Sequence, residues 1–290
     1  MKAQLSLREM LASPQLTLAP LVFNAMSALL AQRAGFGAAY VGGAALGYFR
    51  GATEAALGQH DFVEVGLEIR IASKIPLIMD GGCGWGDPVH MRRVVRMAEA
   101  AGYNAIEIED QVVPKRVHHH IGVEHLVPME VMSAKIAEAA RMRTNPDFLI
   151  IARTNAVRTD MDDALRRCDA YARAGADVLF PLASQPDELR TLGTRTSLPL
   201  MLMVHPHQSF EQMGLTHNEL VELNYRLLVD GITPFADLYH ALVESYERLQ
   251  FSIPNAAAVT SAMNSANELV DLSDMLDVER RTTESGSVQY

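Results

Sequence analysis

One recurring unit limits the fold of this chain more than any other feature. An amphipathic run closes on Ala-Gly, and a short apolar stretch follows that breaks at polar or small residues. It reads Ala34-Gly35-Phe36-Gly37-Ala38-Ala39-Tyr40-Val41-Gly42-Gly43, then Ala101-Gly102-Tyr103-Asn104-Ala105-Ile106-Glu107-Ile108-Glu109-Asp110, then Ala174-Gly175-Ala176-Asp177-Val178-Leu179-Phe180-Pro181-Leu182-Ala183. Glycine closes a helix through a left-handed cap, and an apolar run too short for a helix suits a buried parallel strand. Each copy is therefore a helix feeding a strand. The same pattern places eight strands near residues 16–22, 38–43, 76–82, 105–111, 148–155, 177–183, 199–205 and 226–232, with helical spacing between them. Met161-Asp162-Asp163 and Asp87-Pro88-Val89 open two of those helices with acidic residues, as a helix N-terminus favours. Eight alternations in about 250 residues predict a (β/α)8 barrel of the TIM type, with its active site at the C-terminal strand ends. A doubly wound open sheet is the competing architecture, and it is disfavoured because no Gly-x-Gly-x-x-Gly opens a first helix.

The 290-residue chain is 49% hydrophobic and 21% charged, enough apolar material for one large core. The barrel is expected over residues 1–250. Phe251-Ser252-Ile253-Pro254-Asn255 reads as a break, and residues 251–290 read as a helical arm with an amphipathic run from Ala266 to Leu276 and a tail from Arg280. Such an arm needs something to pack against, and a neighbouring subunit is expected. Lys and Arg total 25 against 35 Asp and Glu, a formal charge of -10, and no basic cluster is interleaved with aromatics. Nucleic acid and anionic membrane are poor partners for such a chain. Cys83 and Cys168 make no disulfide framework, no apolar run reaches the length of a membrane span, and residues 1–14 lack a secretory signal. A soluble cytoplasmic protein is expected.

Polar residues at the ends of apolar strands point to the catalytic mouth. Asp80 ends one strand and Glu109 the next. Neighbouring strands lie about 4.8 Å apart, so these carboxylates can converge on one hard cation held mostly by water, as Mg2+ prefers. The competing role for each is a helix cap or an arginine pair. The run Gly81-Gly82-Cys83-Gly84-Trp85-Gly86 after Asp80 favours close approach to a ligand. Arg153 holds the equivalent place after Phe148-Leu149-Ile150-Ile151-Ala152, and its fork suits a carboxylate or phosphate, or an ion pair with Glu109 or Asp80. Residues 109–122 form a long polar loop with His118, His119 and His120 in succession; these can bind a transition metal or move protons, or can simply be solvated. Lys115 in the same loop can neutralise a developing anion or lie exposed. His205, ending the seventh strand, is either a substrate contact or a cap, and Cys83 is read as packing.

Together these residues resemble the isocitrate lyase and phosphoenolpyruvate mutase superfamily along nearly the whole chain. The resemblance is carried by Asn24-Ala25-Met26-Ser27-Ala28, the Gly42-Gly43 turn, Asp80 with Gly84-x-Gly86, Ile108-Glu109-Asp110-Gln111 with Pro114-Lys115-Arg116, Ile151-Ala152-Arg153-Thr154-Asn155, Ala174-Gly175-Ala176-Asp177 and Asn267-Glu268-Leu269. It implies a barrel whose last helix is exchanged between subunits, a homotetramer built as a dimer of dimers, and action on small 2-oxo or 2-hydroxy acids through Mg2+, with Mn2+ or another divalent ion as the alternative. It further implies Asp80 as direct metal ligand and Glu109 as holder of metal-bound water. Gly42, Gly43 and Ala44 would form the substrate turn, Arg153 the clamp at the other end, and residues 111–122 a mobile gate.

The sequence also departs from the family pattern. Gly82 stands where a second metal-shell Asp is usual, and Val117 replaces the gate Cys of the lyase branch. Leu182 replaces a glutamate near the end of the sixth strand, Met203 stands near a usual Asn, and the acidic residue of the second loop corresponds to Thr53 or Glu54. The leading expectation is a metal-dependent carbon–carbon lyase or decarboxylase on a small 2-oxo or 2-hydroxy dicarboxylate, with Lys115, His119 and Arg153 in catalytic roles. His119 would protonate the product enolate. In the alternatives, His119 or His205 joins the metal shell, the chain is a phosphonomutase or phosphonopyruvate hydrolase, or it is a non-catalytic organic-acid binder.

Overall fold

The computed structural model describes residues 5–204, 214–251 and 256–282. The chain divides into two compact units, Met1–Phe235 and Ala236–Tyr290. The strands of the first are β1 (Thr17–Pro20), β2 (Ala39–Val41), β3 (Leu77–Asp80), β4 (Ala105–Glu109), β5 (Leu149–Thr154), β6 (Val178–Pro181), β7 (Leu200–Met203) and β8 (Tyr225–Asp230). Seven lie inside the segments predicted from sequence, and β8 begins one residue earlier, at Tyr225. They pair in parallel in the order β1-β8-β7-β6-β5-β4-β3-β2, and a parallel bridge Leu21↔Tyr40 joins β1 to β2. This is a nearly closed (β/α)8 barrel. The helices of the chain are α1 (Leu7–Ala12), α2 (Ala25–Arg33), α3 (Gly43–Phe49), α4 (Gln59–Ala72), α5 (Met91–Ala100), α6 (Met129–Met142), α7 (Met161–Ala174), α8 (Pro186–Arg195), α9 (His217–Glu222), α10 (Thr233–Phe251), α11 (Ala256–Leu269) and α12 (Leu272–Thr282).

The Ala-Gly signal works through backbone geometry. Gly35, Gly102 and Gly175 sit at φ +91, +83 and +105, the left-handed region in which glycine ends a helix without a Cβ clash. The chain then turns directly into β2, β4 and β6. At the other end of α7, Asp160 accepts from the Asp162 N–H at 2.9 Å, the capping expected of the acidic start.

Strand side chains alternate between two apolar layers. One face of each strand packs on the helices through residues such as Met79, Ile106, Ile108, Ile150 and Leu202. The other fills the barrel with Ala19, Ala38, Tyr40, Ile78, Ala105, Ile151, Phe180, Leu182, Met201 and Val229. Leu7 and Leu11 of α1 join the inner layer and close its N-terminal end, where Arg8 reaches Asp177 at 2.9 Å. Both ends of the inner layer are thus defined: apolar plug below, polar mouth above.

In the second unit α10, α11 and α12 expose Tyr239, Leu242, Tyr246, Phe251, Met263 and Leu276, and no described residue of Ala236–Thr282 is buried. The stretch Ala266–Leu276, expected as one amphipathic run, is interrupted. Asp271 takes φ +54, a conformation Asp tolerates, and α12 starts after it. Of the expected break at 251–255, Phe251 is the last residue of α10 and 252–255 lie outside the described residues, as does the tail beyond Thr282. No helix among the described residues is long and apolar enough to cross a membrane.

Beneath the mouth, a buried polar knot joins β4, β5 and α7. Asp110 accepts from Thr154 Oγ1 at 2.7 Å, Tyr171 OH at 2.9 Å, Arg167 Nη1 at 3.0 Å and the Asn155 N–H at 3.3 Å. Deleting one member of a buried charged pair leaves the other uncompensated, at a cost of about 3–5 kcal/mol. Asp110→Ala is expected to lower unfolding free energy by that amount in urea titrations, and a loss below about 1 kcal/mol would show that the knot is not a stabilising element.

Candidate active site

Asp80 is the last residue of β3 and points into the mouth. Its Oδ2 accepts from the Gly43 N–H at 2.8 Å and its Oδ1 from the Gly82 N–H at 2.9 Å. A Cβ at Gly43 would stand 2.9 Å from Glu54 Oε2 and 3.0 Å from Asp80 Oδ2, so only glycine lets these two acids face each other there. Burial first, and then the charge of Glu54, raise the Asp80 carboxyl above its usual range. A cation beside it would reverse that effect.

The ladder from β3 to β4 continues past Asp80, with Gly81 N–H donating to Glu107 O and Glu109 N–H to Gly82 O, each at 2.8 Å. Gly82 is thereby held alongside Glu109. Glu107 and Glu109 alternate onto the inner face of β4. Glu107 accepts from Tyr40 OH and from Arg153 Nη1, each at 2.9 Å, and burial pushes its carboxyl up to about 7. Glu109 Oε1 pairs with Lys115 Nζ at 2.6 Å and lies 3.7 Å from the Cys83 thiol. Its Oε2 is buried and accepts no hydrogen bond among the described residues; its charged neighbour is Arg153 Nε at 3.4 Å. Burial opposes the Glu109 charge, but Lys115 and then Arg153 outweigh it, and the carboxyl is held below its usual range.

Arg153 comes from β5, in register with Glu109. It spans Glu107 and Glu109, donates through Nε to Asn155 Oδ1 at 3.0 Å, and lies 5.2 Å from the centre of the Phe180 ring. The guanidinium is thus fixed on several sides, and Nη2 has no hydrogen-bond partner among the described residues. Both roles foreseen for Arg153, ion pairing and a remaining fork toward a ligand, are compatible with this placement.

The loop expected to act as a gate is pinned at its feet by an antiparallel bridge, Gln111↔Leu126, and by His118 Nδ1 against His125 Nε2 at 3.1 Å. It turns Lys115 inward: the side chain is 9% exposed, against the solvent-facing alternative, and contacts Glu54 Oε1 at 3.1 Å as well as Glu109. Burial disfavours the ammonium, yet the two glutamates raise its pKa, so Lys115 stays charged. His119 donates from Nδ1 to Arg116 O at 2.6 Å and presents Nε2 to Glu54 Oε1. Burial lowers its proton affinity, and the hydrogen bond to Glu54 more than compensates. Glu54 is correspondingly held well below the carboxylate range despite burial, by His119 and Lys115. His119 therefore acts on the mouth through Glu54. Val117, in the place of a gate cysteine, is 57% exposed.

Between β3 and the gate lies a cavity of about 250 Å³. Glu54, Asp80, Gly43 and Lys115 form its polar side, and Leu57, Phe62, Trp85 and Val113 its apolar side. Trp85 directs its indole N–H away to Leu57 O at 3.1 Å, leaving ring surface for the cavity. Gly82 also lines it, and a Cβ there would meet nothing within 4 Å. The space of the missing carboxylate is open. Leu182 lies in the buried inner layer and Met203 packs against it.

Among the residues singled out from sequence, the structure brings together Gly43, Asp80, Glu109, Lys115, His119 and Arg153. Gly42 is the N-cap of α3, and Gly43 and Ala44 form its first turn, where N–H groups lack intrahelical acceptors. Gly43 already gives its N–H to Asp80. His205 and His207 lie outside the described residues. Sequence reasoning did not single out Glu107 or Tyr40, and left Glu54 undecided against Thr53. Glu107 had a signal: it stands two residues before Glu109 in an apolar strand, and period-two alternation puts both on one face. Glu124, buried beneath the gate and bonded by Asn155 Nδ2 at 2.9 Å and Arg158 Nη1 at 2.7 Å, had none.

The family model for phosphoenolpyruvate phosphomutase matches residues 7–250. The chain is 32% identical to the 2,3-dimethylmalate lyase of Eubacterium barkeri, over 97% of this chain and 96% of that protein. It is 29% identical to the oxaloacetate decarboxylase of Chromohalobacter salexigens, covering 92% and 91%. A crystal structure of phosphonopyruvate hydrolase with oxalate and Mg2+ superposes with a TM-score of 0.80 at 27% identity, covering 96% of this chain and 98% of that one. Matching along nearly its full length, and with an acid-lined mouth at the strand ends that the motifs predicted, the chain belongs to the phosphoenolpyruvate mutase and isocitrate lyase superfamily.

Proposed function

We propose that this protein is a divalent-metal-dependent carbon–carbon lyase for a small 2-hydroxy dicarboxylate carrying an alkyl group, of the alkylmalate type, with oxaloacetate decarboxylation as a related cleavage on a smaller substrate, in which C3–C4 breaks, CO2 leaves and the charge is taken up as an enolate. The observation that carries this is the two-sided cavity: Glu54, Asp80 and Lys115 face Leu57, Phe62, Trp85 and Val113 across about 250 Å³. Alkyl substituents gain from the apolar wall, by about 0.8 kcal/mol per buried CH2. A phosphonate needs further donors. The cations here, Lys115 and Arg153, are already paired with carboxylates, which favours carbon–carbon cleavage.

The donor set fits a hard divalent ion. Asp80 and Glu109 are buried oxygens, one Glu109 oxygen lacks a hydrogen bond, and the carboxylates of the mouth outnumber its cations. Bound there, Mg2+ or Mn2+ would supply positive charge beside oxygens that become more negative in the transition state. The remaining chemistry belongs to side chains. Arg153 Nη2 orients a substrate carboxylate, and Ala44 N–H in the first turn of α3 holds another. As the 2-hydroxyl loses its proton and the C2–C3 electron pair moves onto the departing carbon, Lys115 stabilises the developing charge. Glu54 and His119 together store the proton, with Glu54 Oε2 toward Asp80 and Oε1 on His119, and return it to the departing carbon.

Purified protein with Mg2+ or Mn2+ is expected to cleave 2,3-dialkylmalates, with all turnover lost on chelation. Asp80→Ala is expected to lower kcat/KM by roughly 10²–10³, the scale of removing one electrostatic anchor. Trp85→Ala should raise KM for the dialkylmalate several-fold more than for oxaloacetate. Absence of turnover on both substrates with both metals would sink the proposal.

Gly82 lies at φ +47, a conformation Asp accepts better than most residues, with open space ahead of its Cβ. Gly82→Asp is expected to tighten Mg2+ binding roughly tenfold by calorimetry, since ligand charge sets affinity for a hard cation. Unchanged affinity would place the ion elsewhere.

We further propose a homotetramer in which residues 251–290 pack on a neighbouring subunit. The support is the second unit itself, whose helices expose large apolar side chains without burying one. Sedimentation is expected to give four times the 31.8 kDa chain mass, falling when the chain is cut after Gln250, and a monomer at micromolar concentration would contradict the assembly.

A further inference from the structure

We propose that Glu54, His119 and His120 form a second ion site, on the gate, for a nitrogen-seeking transition metal such as Zn2+ or Co2+. It is distinct from the oxygen-lined Asp80–Glu109 pair. One ligand atom from each of the three residues lies within 4.8 Å of the others. Two imidazoles and a carboxylate are the donor set that borderline ions prefer and that Mg2+ does not.

The local chemistry is already arranged for such an ion. Arg116 O lies 2.6 Å from His119 Nδ1, and a carbonyl can only accept, so the Nδ1 proton is fixed there and Nε2 faces Glu54. Metal-ligating histidines are oriented in this way, by a backbone carbonyl on the far nitrogen. The His120 ring lies against His119 with centroids 3.9 Å apart and planes tilted by 38°, and His120 is exposed, which gives an ion a route in from solvent. Glu54 Oε1, the oxygen that faces His119, is also contacted by Lys115 at 3.1 Å, which fixes the carboxylate beside the imidazole. Bonds of about 2.0–2.1 Å at tetrahedral angles set ligand atoms roughly 3.3 Å apart, so an entering ion pushes His119 and Glu54 slightly asunder and takes water as fourth ligand. The ion then replaces the proton shared between them and ties the gate to the loop before α4.

The test uses the whole protein saturated with Mg2+, so that the Asp80–Glu109 pair is filled, and titrates Co2+ while recording its visible absorption. The expected result is one saturable Co2+ per chain with the intense bands of a four-coordinate ion. His120→Ala, a change at an exposed position, is expected to weaken binding at least tenfold, and Asp80→Asn to leave the bands in place. Equal Co2+ affinity in wild type and His120→Ala overturns the proposal, as does a spectrum abolished by Asp80→Asn. The functional consequence rests on the lyase reading: Zn2+ should inhibit Mg2+-supported turnover in wild type and far less in His120→Ala. Because the Co2+ spectrum needs no turnover, loss of the lyase reading leaves the ion site testable, and loss of the ion site leaves the lyase reading intact.

Discussion

The mouth of this barrel is organised by an excess of buried negative charge. Glu54, Asp80, Glu107 and Glu109 converge on Lys115 and Arg153, with His119 as the adjustable member. Unscreened carboxylates in a dry cavity repel one another, and each neighbour here is placed to limit that cost. Tyr40 and Arg153 hold Glu107, Lys115 and Arg153 hold Glu109, and backbone N–H groups hold Asp80. The glycine at 43 follows from the same constraint, since it lets a backbone donor come up to Asp80 where a side chain would stand in the way. What remains unbalanced is the attraction the site has for a cation.

Most of the scaffold was legible because a parallel barrel strand is buried on both faces and must be short, apolar and bounded. The Ala-Gly closures announced three strands outright. Asp80, Glu109 and Arg153 stood out as the polar ends of those runs. Lys115 was ambiguous for a physical reason: a loop lysine is normally solvated, and nothing local in sequence shows that residues 54 and 109 will enclose it. Glu54 and His119 illustrate the same limit, because they are 65 residues apart in the chain and meet only through the fold. Glu107 was overlooked although the two-residue alternation of β4 already paired it with Glu109. The amphipathic run in the arm was read as continuous because Asp271 carries no breaker signal of the strength of proline or glycine.

Divergence within the superfamily is visible here as a change of volume as well as of charge. Gly82 removes a carboxylate and leaves the room it would fill, next to Trp85 and Leu57. Leu182 makes the sixth strand apolar where an acid is usual. Both positions are uncharged here, in keeping with the alkyl-bearing acid we propose as substrate.

The bridge between Gln111 and Leu126 has a mechanical consequence. With both feet clamped together, the intervening loop behaves as a flap on a single hinge and not as a slack tether. Lifting it must separate Lys115 from two glutamates and His119 from Glu54 in one movement. Those contacts belong to one loop, so they are made or lost as a set.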